Sequence, residues 1–271
     1  MKSKSNSNKP NKFVAIKLCN DAASEKDVTH EADITMHLSS IKSQHRGRAV
    51  LAAAIEGFGL ESPSGSEHVA LVFEPLREPL WLFRSRLIGG EDMSITPMMP
   101  LIKLYIQILL EGLEFMHDEA HVIHTGTFPA LAPYFSDIYI PYSPLLSDLK
   151  LDNILVTLED PSVIEEFVQR QIQHPMGRKN VGDRIVYKCH NDFGNIDGME
   201  VIKKMYPKIT DFGLAQRGDT PGPRIHPIQP NHCKAPEVLL GTGWSYSADI
   251  WNFGVMVIAS QASSSHLFDG C

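Results

Sequence analysis

In the run Asp148-Leu149-Lys150-Leu151-Asp152-Asn153-Ile154-Leu155, a carboxylate, a lysine and an amide share one short loop ahead of an apolar strand. A loop of this kind can accept a hydroxyl proton at Asp148, steady a transferring phosphate with Lys150 and offer the Asn153 side-chain oxygen to Mg²⁺. A polar turn before a strand would explain the Asp and the Asn but not the lysine between them. Asp211-Phe212-Gly213 follows the alternating Lys208-Ile209-Thr210, so a second carboxylate stands at a strand end. There it can ligate Mg²⁺ while the glycine lets the backbone turn away. Lys17 closes the apolar run Val14-Ala15-Ile16-Lys17. Taken alone it reads as an edge lysine with its stem on an apolar surface. Glu31, on a following helix, could hold that lysine against phosphates, and taken alone it reads as a solvated helical residue.

Those residues need a scaffold, and 271 residues with 43% hydrophobic and 21% charged side chains are enough for one large domain or two lobes. The formal charge of −7 gives no pull toward nucleic acid or an anionic membrane surface. Cys19, Cys189, Cys233 and Cys271 are too sparse for a disulfide scaffold and lack zinc-site spacing, so a reducing compartment is expected. The N-terminus has no apolar core of a signal peptide, and the most apolar run carries Lys103, Glu111 and Glu114. A cytoplasmic or nuclear location is the expectation.

Along the chain, residues 1–12 are expected to be disordered. FVAIKLC reads as a strand and about Ser24 to Ser39 as a helix, with Val28, Ile34 and Leu38 partly periodic. The stretch from His45 to Gly65 reads as a strand and turn, and HVALVFEPL as a second strand ending at Pro75. Pro100 opens the strongest helical pattern, with Leu101, Leu104, Tyr105, Ile108 and Leu113 on one face. DNILV reads as a short strand, and 159–205 as a polar surface insertion. A few strands and a helix, followed by a mainly helical half, point to an α+β fold of two unequal lobes.

Ala235-Pro236-Glu237 follows Asp211 at a spacing suited to an activation segment, and SADIWNFGVM comes after it. In this order, Lys17, Glu31, Asp148, Asn153, Asp211 and Glu237 resemble the successive motifs of eukaryotic protein kinases. VFEPL, Thr125, IQPNHCKAPEVLLGTGWSYSADIW and the long insertion before Asp211 resemble the SR-protein kinases, especially divergent fungal members. Phe212 departs from the Leu that this family often carries. The resemblance implies transfer of the ATP γ-phosphate to a Ser or Thr hydroxyl with Mg²⁺. Asp148 and Lys150 would be catalytic, Asn153 and Asp211 metal ligands, and Lys17 and Glu31 the phosphate-holding pair. The backbones of Glu74 and Leu76 would face adenine, with Phe73 behind them. It also implies Arg/Ser-rich protein substrates, with no nucleic-acid or membrane partner.

Set against that pattern, the lobes divide at 13–75 and 76–271, and both read as incomplete. No Gly-x-Gly-x-x-Gly precedes Lys17, and the chain stops soon after Asp249, leaving Glu237 without the Arg that normally pairs with it. Residues 126–147 separate His124-Thr125 from Asp148, and their removal would leave VIHTDLKLDNILV. The 22 residues hold four prolines, three tyrosines and no Lys or Arg. They read as a retained in-frame intron, with a genuine loop insertion as the alternative. A catalytically inactive binding module and an inert gene-model product are the rival readings of the whole chain. Thr125 stands where many kinases carry a phosphate-binding Arg, and Thr220 is the one hydroxyl residue between Asp211 and Glu237. An intact version is therefore expected to act without loop phosphorylation.

Overall fold

The computed structural model describes residues 13–19, 25–62, 65, 67–88, 98–125, 149–182, 184–188, 190, 192–196, 198–229 and 233–261. The expectations for residues 1–12, for 126–147 and for Asp148 lie outside them. Strands β1 (Ala15–Leu18), β2 (Glu56–Glu61) and β3 (Glu67–Phe73) form an antiparallel sheet in the order β1-β3-β2. Its register sets Lys17 opposite Leu71. Helix α1 (Glu25–Ser40) lies where the sequence places it, and Ile34 and Leu38, one turn apart, are buried in the main core.

Beyond α1 the chain departs from the expected strand. Residues Arg46–Val50 form a 3-10 helix, capped by His45, whose Nδ1 accepts the Gly47 N–H at 3.0 Å. Close packing explains the difference. A Cβ on Gly47 would lie 1.8 Å from the Glu111 carbonyl oxygen, so this short helix rests directly on another helix and the local β pattern gives way to tertiary contact.

That other helix is α3 (Met99–Asp118), entered through Pro100 in its first turn. Leu101, Tyr105, Leu109, Leu113 and Met116 form its buried stripe, at spacings of three and four residues. Leu104, expected on that face, is 42% exposed, and Leu109 takes part in its place. Between β3 and α3 the chain forms β4 (Leu76–Pro79) and α2 (Leu80–Ile88). β5 (Val122–Ile123) follows α3, and a 3-10 turn (Leu151–Asn153) leads into β6 (Ile154–Thr157).

The expected surface insertion holds more structure than its sequence showed. Helix α4 (Ser162–Gln173) buries none of its side chains, and β7 (Arg178–Val181) and β8 (Arg184–Tyr187) form an exposed hairpin. The return through α5 (Met199–Ile202) is not a surface loop, because Ile202 and Met205 are buried against Phe83, Leu101 and Tyr105. Strand β9 (Pro207–Ile209) then completes the sheet β4-β6-β9, and β10 (Gln216–Arg217) pairs with β5. Helices α6 (Pro236–Leu240) and α7 (Ser247–Gln261) end the described chain. Among the described residues no helix is long and apolar enough to cross a membrane.

The Gly47 contact makes a direct test of this packing. Gly47→Ala is expected to lower stability by about 2–3 kcal/mol, read as a lower urea midpoint at unchanged slope. An unchanged midpoint would contradict the close approach to α3.

Candidate active site

Lys17 reaches from the edge strand β1 to two carboxylates on separate elements. Its Nζ lies 2.6 Å from Glu31 Oε1 on α1 and 3.0 Å from Asp211 Oδ1, just beyond β9. Burial by itself would lower the Lys17 pKa, but the charges of Asp211 and Glu31 and their hydrogen bonds outweigh it and raise it. Burial would likewise raise Asp211, yet the Lys17 charge and hydrogen bond, with His124 and the Gly213 N–H, hold it below the usual carboxylate range. Lys17 and Asp211 are therefore both charged at neutral pH.

The backbone at Asp211 is held in an unusual conformation, with φ of +60° in a residue that has a side chain. Gly213 follows, and a Cβ there would sit 3.5 Å from Asp211 Oδ1 and 3.7 Å from Glu31 Oε2. Glycine keeps that side of the carboxylates clear. Strained backbone of this kind persists where the surroundings over-determine it, and here the ion pair does so.

Asn153 is brought to the same place by strand register. Ile154 pairs with Ile209, and the Thr210 N–H and hydroxyl donate to the Asn153 carbonyl at 2.8 and 3.0 Å. Asn153 and Asp211 thus stand at the ends of two adjacent strands, Asn153 just before β6 and Asp211 just after β9. Lys150 precedes this turn and accepts the Asn153 N–H on its carbonyl at 2.9 Å. Asp148 lies outside the described residues, but its neighbours on both sides of 126–148 are anchored: Thr125 is fully buried, and Leu149 lies in the main core. A carboxylate and an amide oxygen are hard donors of the kind Mg²⁺ accepts, since it keeps several waters and takes one or two carboxylates beside substrate phosphates. The donor set fits that ion.

The segment expected to face adenine links the two sheets. Phe73 ends β3 opposite Ala15, and Leu76 opens β4 opposite Thr157. The Glu74 side chain lies 3.3 Å from Lys208 Nζ. Just after it, Arg77 is completely buried, ion-paired with Glu78 at 3.1 Å and with Glu159, and donates to the Gly194 carbonyl at 3.0 Å. Sequence reasoning passed over Arg77, which nothing in its local pattern marks as an inward residue.

Asp249 was also missed, although SADIW contains it. Its carboxylate is buried and accepts the N–H groups of His124 at 2.8 Å and Thr125 at 2.7 Å, together with His117 Nε2 at 2.8 Å. Burial would raise its pKa, but the His117 hydrogen bond and charge, then His124, prevail and lower it. The network continues outward. Asn252 donates to Thr125 Oγ1 at 3.0 Å, Gln229 donates to Asn252 at 3.0 Å, and Gln229 Oε1 accepts the Ala235 N–H at 2.7 Å. His124 is kept neutral by burial and lies edge-on to Phe212, with ring centroids 5.3 Å apart. Glu237, expected to lack a partner, accepts the Ser247 hydroxyl at 2.6 Å.

No family model matches the chain. It is 32% identical over 246 residues to a serine/threonine protein kinase of Aspergillus fumigatus, covering 90% of this chain and 50% of that protein. The AFC2 serine/threonine-protein kinase of Arabidopsis thaliana is 28% identical over 193 residues, 70% of this chain and 33% of its own. With the SRPK serine/threonine-protein kinase of Physarum polycephalum the identity is 22%, over 90% of this chain and 53% of the other. A crystal structure of a kinase domain superposes with a TM-score of 0.54 at 21% identity, covering 93% of this chain and 57% of that one.

The chain is a eukaryotic protein kinase domain. It resembles the SR-protein kinases and has the two-lobed α+β kinase fold. The kinase domain as given spans about half the length of the Aspergillus relatives.

The buried carboxylate under the turn at His124 and Thr125 gives a pH-dependent expectation. The folded-state pKa of Asp249 is depressed, so its stabilisation is complete above the unfolded aspartate value of about 4 and is lost as pH falls through the folded value. Asp249→Asn is expected to cost about 2–4 kcal/mol at pH 7 and to flatten the acid limb of the stability curve. Denaturant titrations between neutral and acid pH check both. An Asn variant that loses stability with acid as steeply as the native chain would contradict the assignment.

Proposed function

We propose that this kinase domain transfers the γ-phosphate of ATP to Ser or Thr hydroxyls in Arg/Ser-rich proteins, in the cytoplasm or nucleus. The observation that carries the reading is Lys17 held between Glu31 and Asp211, three residues from three distant parts of the chain. In this reading Lys17, aligned by Glu31, binds the α- and β-phosphates, and Asp211 with Asn153 would hold Mg²⁺. The ion would neutralise charge on the phosphates when bound. The backbones of Glu74 and Leu76 would receive adenine. Lys150 would steady the γ-phosphate, and Asp148 would take the proton from the substrate hydroxyl. Most of the acceleration would come from positioning and from charges fixed before the reaction. The preference for basic, Ser-rich proteins rests on the resemblance to SR-protein kinases.

The second reading, a nucleotide-binding module without transfer, draws on residues 126–147, which stand between His124 and Asp148. Displacing a catalytic group by about 1 Å can cost on the order of a hundredfold in rate. Transfer of labelled phosphate to an Arg/Ser peptide is therefore expected to be about a hundredfold faster after deletion of 126–147 than in the chain as it stands. Lys17→Met in the deleted form should abolish the gain. Equal rates in both forms would contradict the interruption, and binding without transfer in either would favour the module.

Thr220 separates activity from loop phosphorylation. Its hydroxyl donates to the Arg217 carbonyl at 2.9 Å and lies 3.0 Å from an Arg224 nitrogen, so the unmodified loop already has its contacts. Thr220→Ala is expected to keep peptide phosphorylation within about twofold. Loss of most activity in a normally folded variant would show that the loop needs its phosphate.

A further inference from the structure

The hairpin of β7 and β8 has no function in the site described above. Its two strands pair only with each other among the described residues, so no other described strand covers either outer edge. Val181, Ile185 and Val186 are each at least half exposed. Register sets Lys179 opposite Val186 and Val181 opposite Arg184 on one face, with Arg178 and Ile185 on the other. Residues 176–188 carry Arg178, Lys179, Arg184 and Lys188 against the single carboxylate Asp183, in a chain of net charge −7.

An isolated two-stranded hairpin is marginal in water, and exposed edges are commonly guarded by lysine. Guarding explains the cations but not apolar side chains on both faces. The hairpin is also built into the domain rather than hung from it. Phe167 of α4 packs on Phe193 at 4.9 Å, Arg77 lies over the Phe193 ring at 5.7 Å, and Arg77 holds the Gly194 carbonyl and Glu159. Both ends of the excursion are thus fixed beside Leu76.

We propose that the hairpin Arg178–Tyr187 is a docking edge for an acidic, extended peptide segment of a partner protein, which adds as a third strand. Backbone hydrogen bonds along the edge would supply affinity, as in other strand-addition complexes. Carboxylates on one face of the peptide would meet Lys179 and Arg184, and its alternating apolar side chains on the other face would meet Ile185 and Tyr187. This partner is distinct from the basic substrate of the proposed reaction, which these cations would repel.

The test is a titration of the isotope-labelled chain with a heptapeptide alternating Glu with Val, followed by backbone amide shifts. Saturable shifts confined to the hairpin are expected, with affinity at least about tenfold weaker for the variant R178E/K179E/R184E/K188E. The four side chains form no ion pair among the described residues, so the melting temperature of the variant should be unchanged. A peptide alternating Lys with Val should not bind the native chain. Absence of saturable shifts, or equal binding by the variant, would overturn the proposal. Tighter binding of a single-stranded RNA of equal charge at the same residues would also overturn it, in favour of a nucleic-acid surface.

Discussion

One lysine at the edge of a small sheet determines how the rest of this kinase domain must be arranged. Lys17 holds Glu31 at 2.6 Å and Asp211 at 3.0 Å, and the three residues come from a strand, a helix and the turn beyond β9. A charge flanked by two carboxylates is stabilised only while both stay in place, so the position of α1 and the end of β9 are coupled through one ammonium group. Everything that locates α1 or β9 therefore acts on the site. Ile34 and Leu38 press α1 into the core that also receives Ile209 and Phe212, so apolar packing sets the distance that the ion pair then uses.

Below that pair lies a second fixed point of a different kind. Asp249, with no exposed surface, gathers two backbone N–H groups and a histidine, and so shapes the turn at His124 and Thr125 from beneath. A buried carboxylate with every oxygen in use is costly to disturb, which makes it a reliable foundation for the turn it holds. The chain Thr125, Asn252, Gln229, Ala235 extends the same polar network to the start of α6. The turn at His124–Thr125 and the segment after Asp211 are thereby joined through α7.

Much of this was legible because the residues with unusual chemistry stand in recognisable company. Lys17, Glu31 and Asp211, each ordinary when taken alone, were legible from their order with Asp148, Asn153 and Glu237, which resembles that of protein kinases. The helices α1 and α3 followed from apolar spacing. The 3-10 helix at Arg46–Val50 was not legible, since its cause is the contact of Gly47 with the backbone of α3, which no local pattern records. Asp249 and Arg77 were hidden for a related reason: apart from Glu78 beside Arg77, their partners lie more than seventy residues away. Helix α4 escaped although Val163, Ile164, Phe167 and Val168 recur at helical spacing, because the segment around it is largely polar, and the hairpin escaped because its strands are short and exposed. The hydroxyl of Ser247, on a neighbouring helix, donates to Glu237, a contact that no local pattern records.

The central claim is that Lys17, Glu31 and Asp211 form a site for ATP with Mg²⁺, and ligand-dependent thermal stability tests it most directly. At a nucleotide concentration a hundredfold above the dissociation constant, binding adds about 2.7 kcal/mol, or roughly 5 °C or more in melting temperature for a domain of this size. A rise of that order is expected with ATP and Mg²⁺ together, much reduced without the metal and absent in Asp211→Asn. No rise in the native chain, or an equal rise in the variant, would contradict the account.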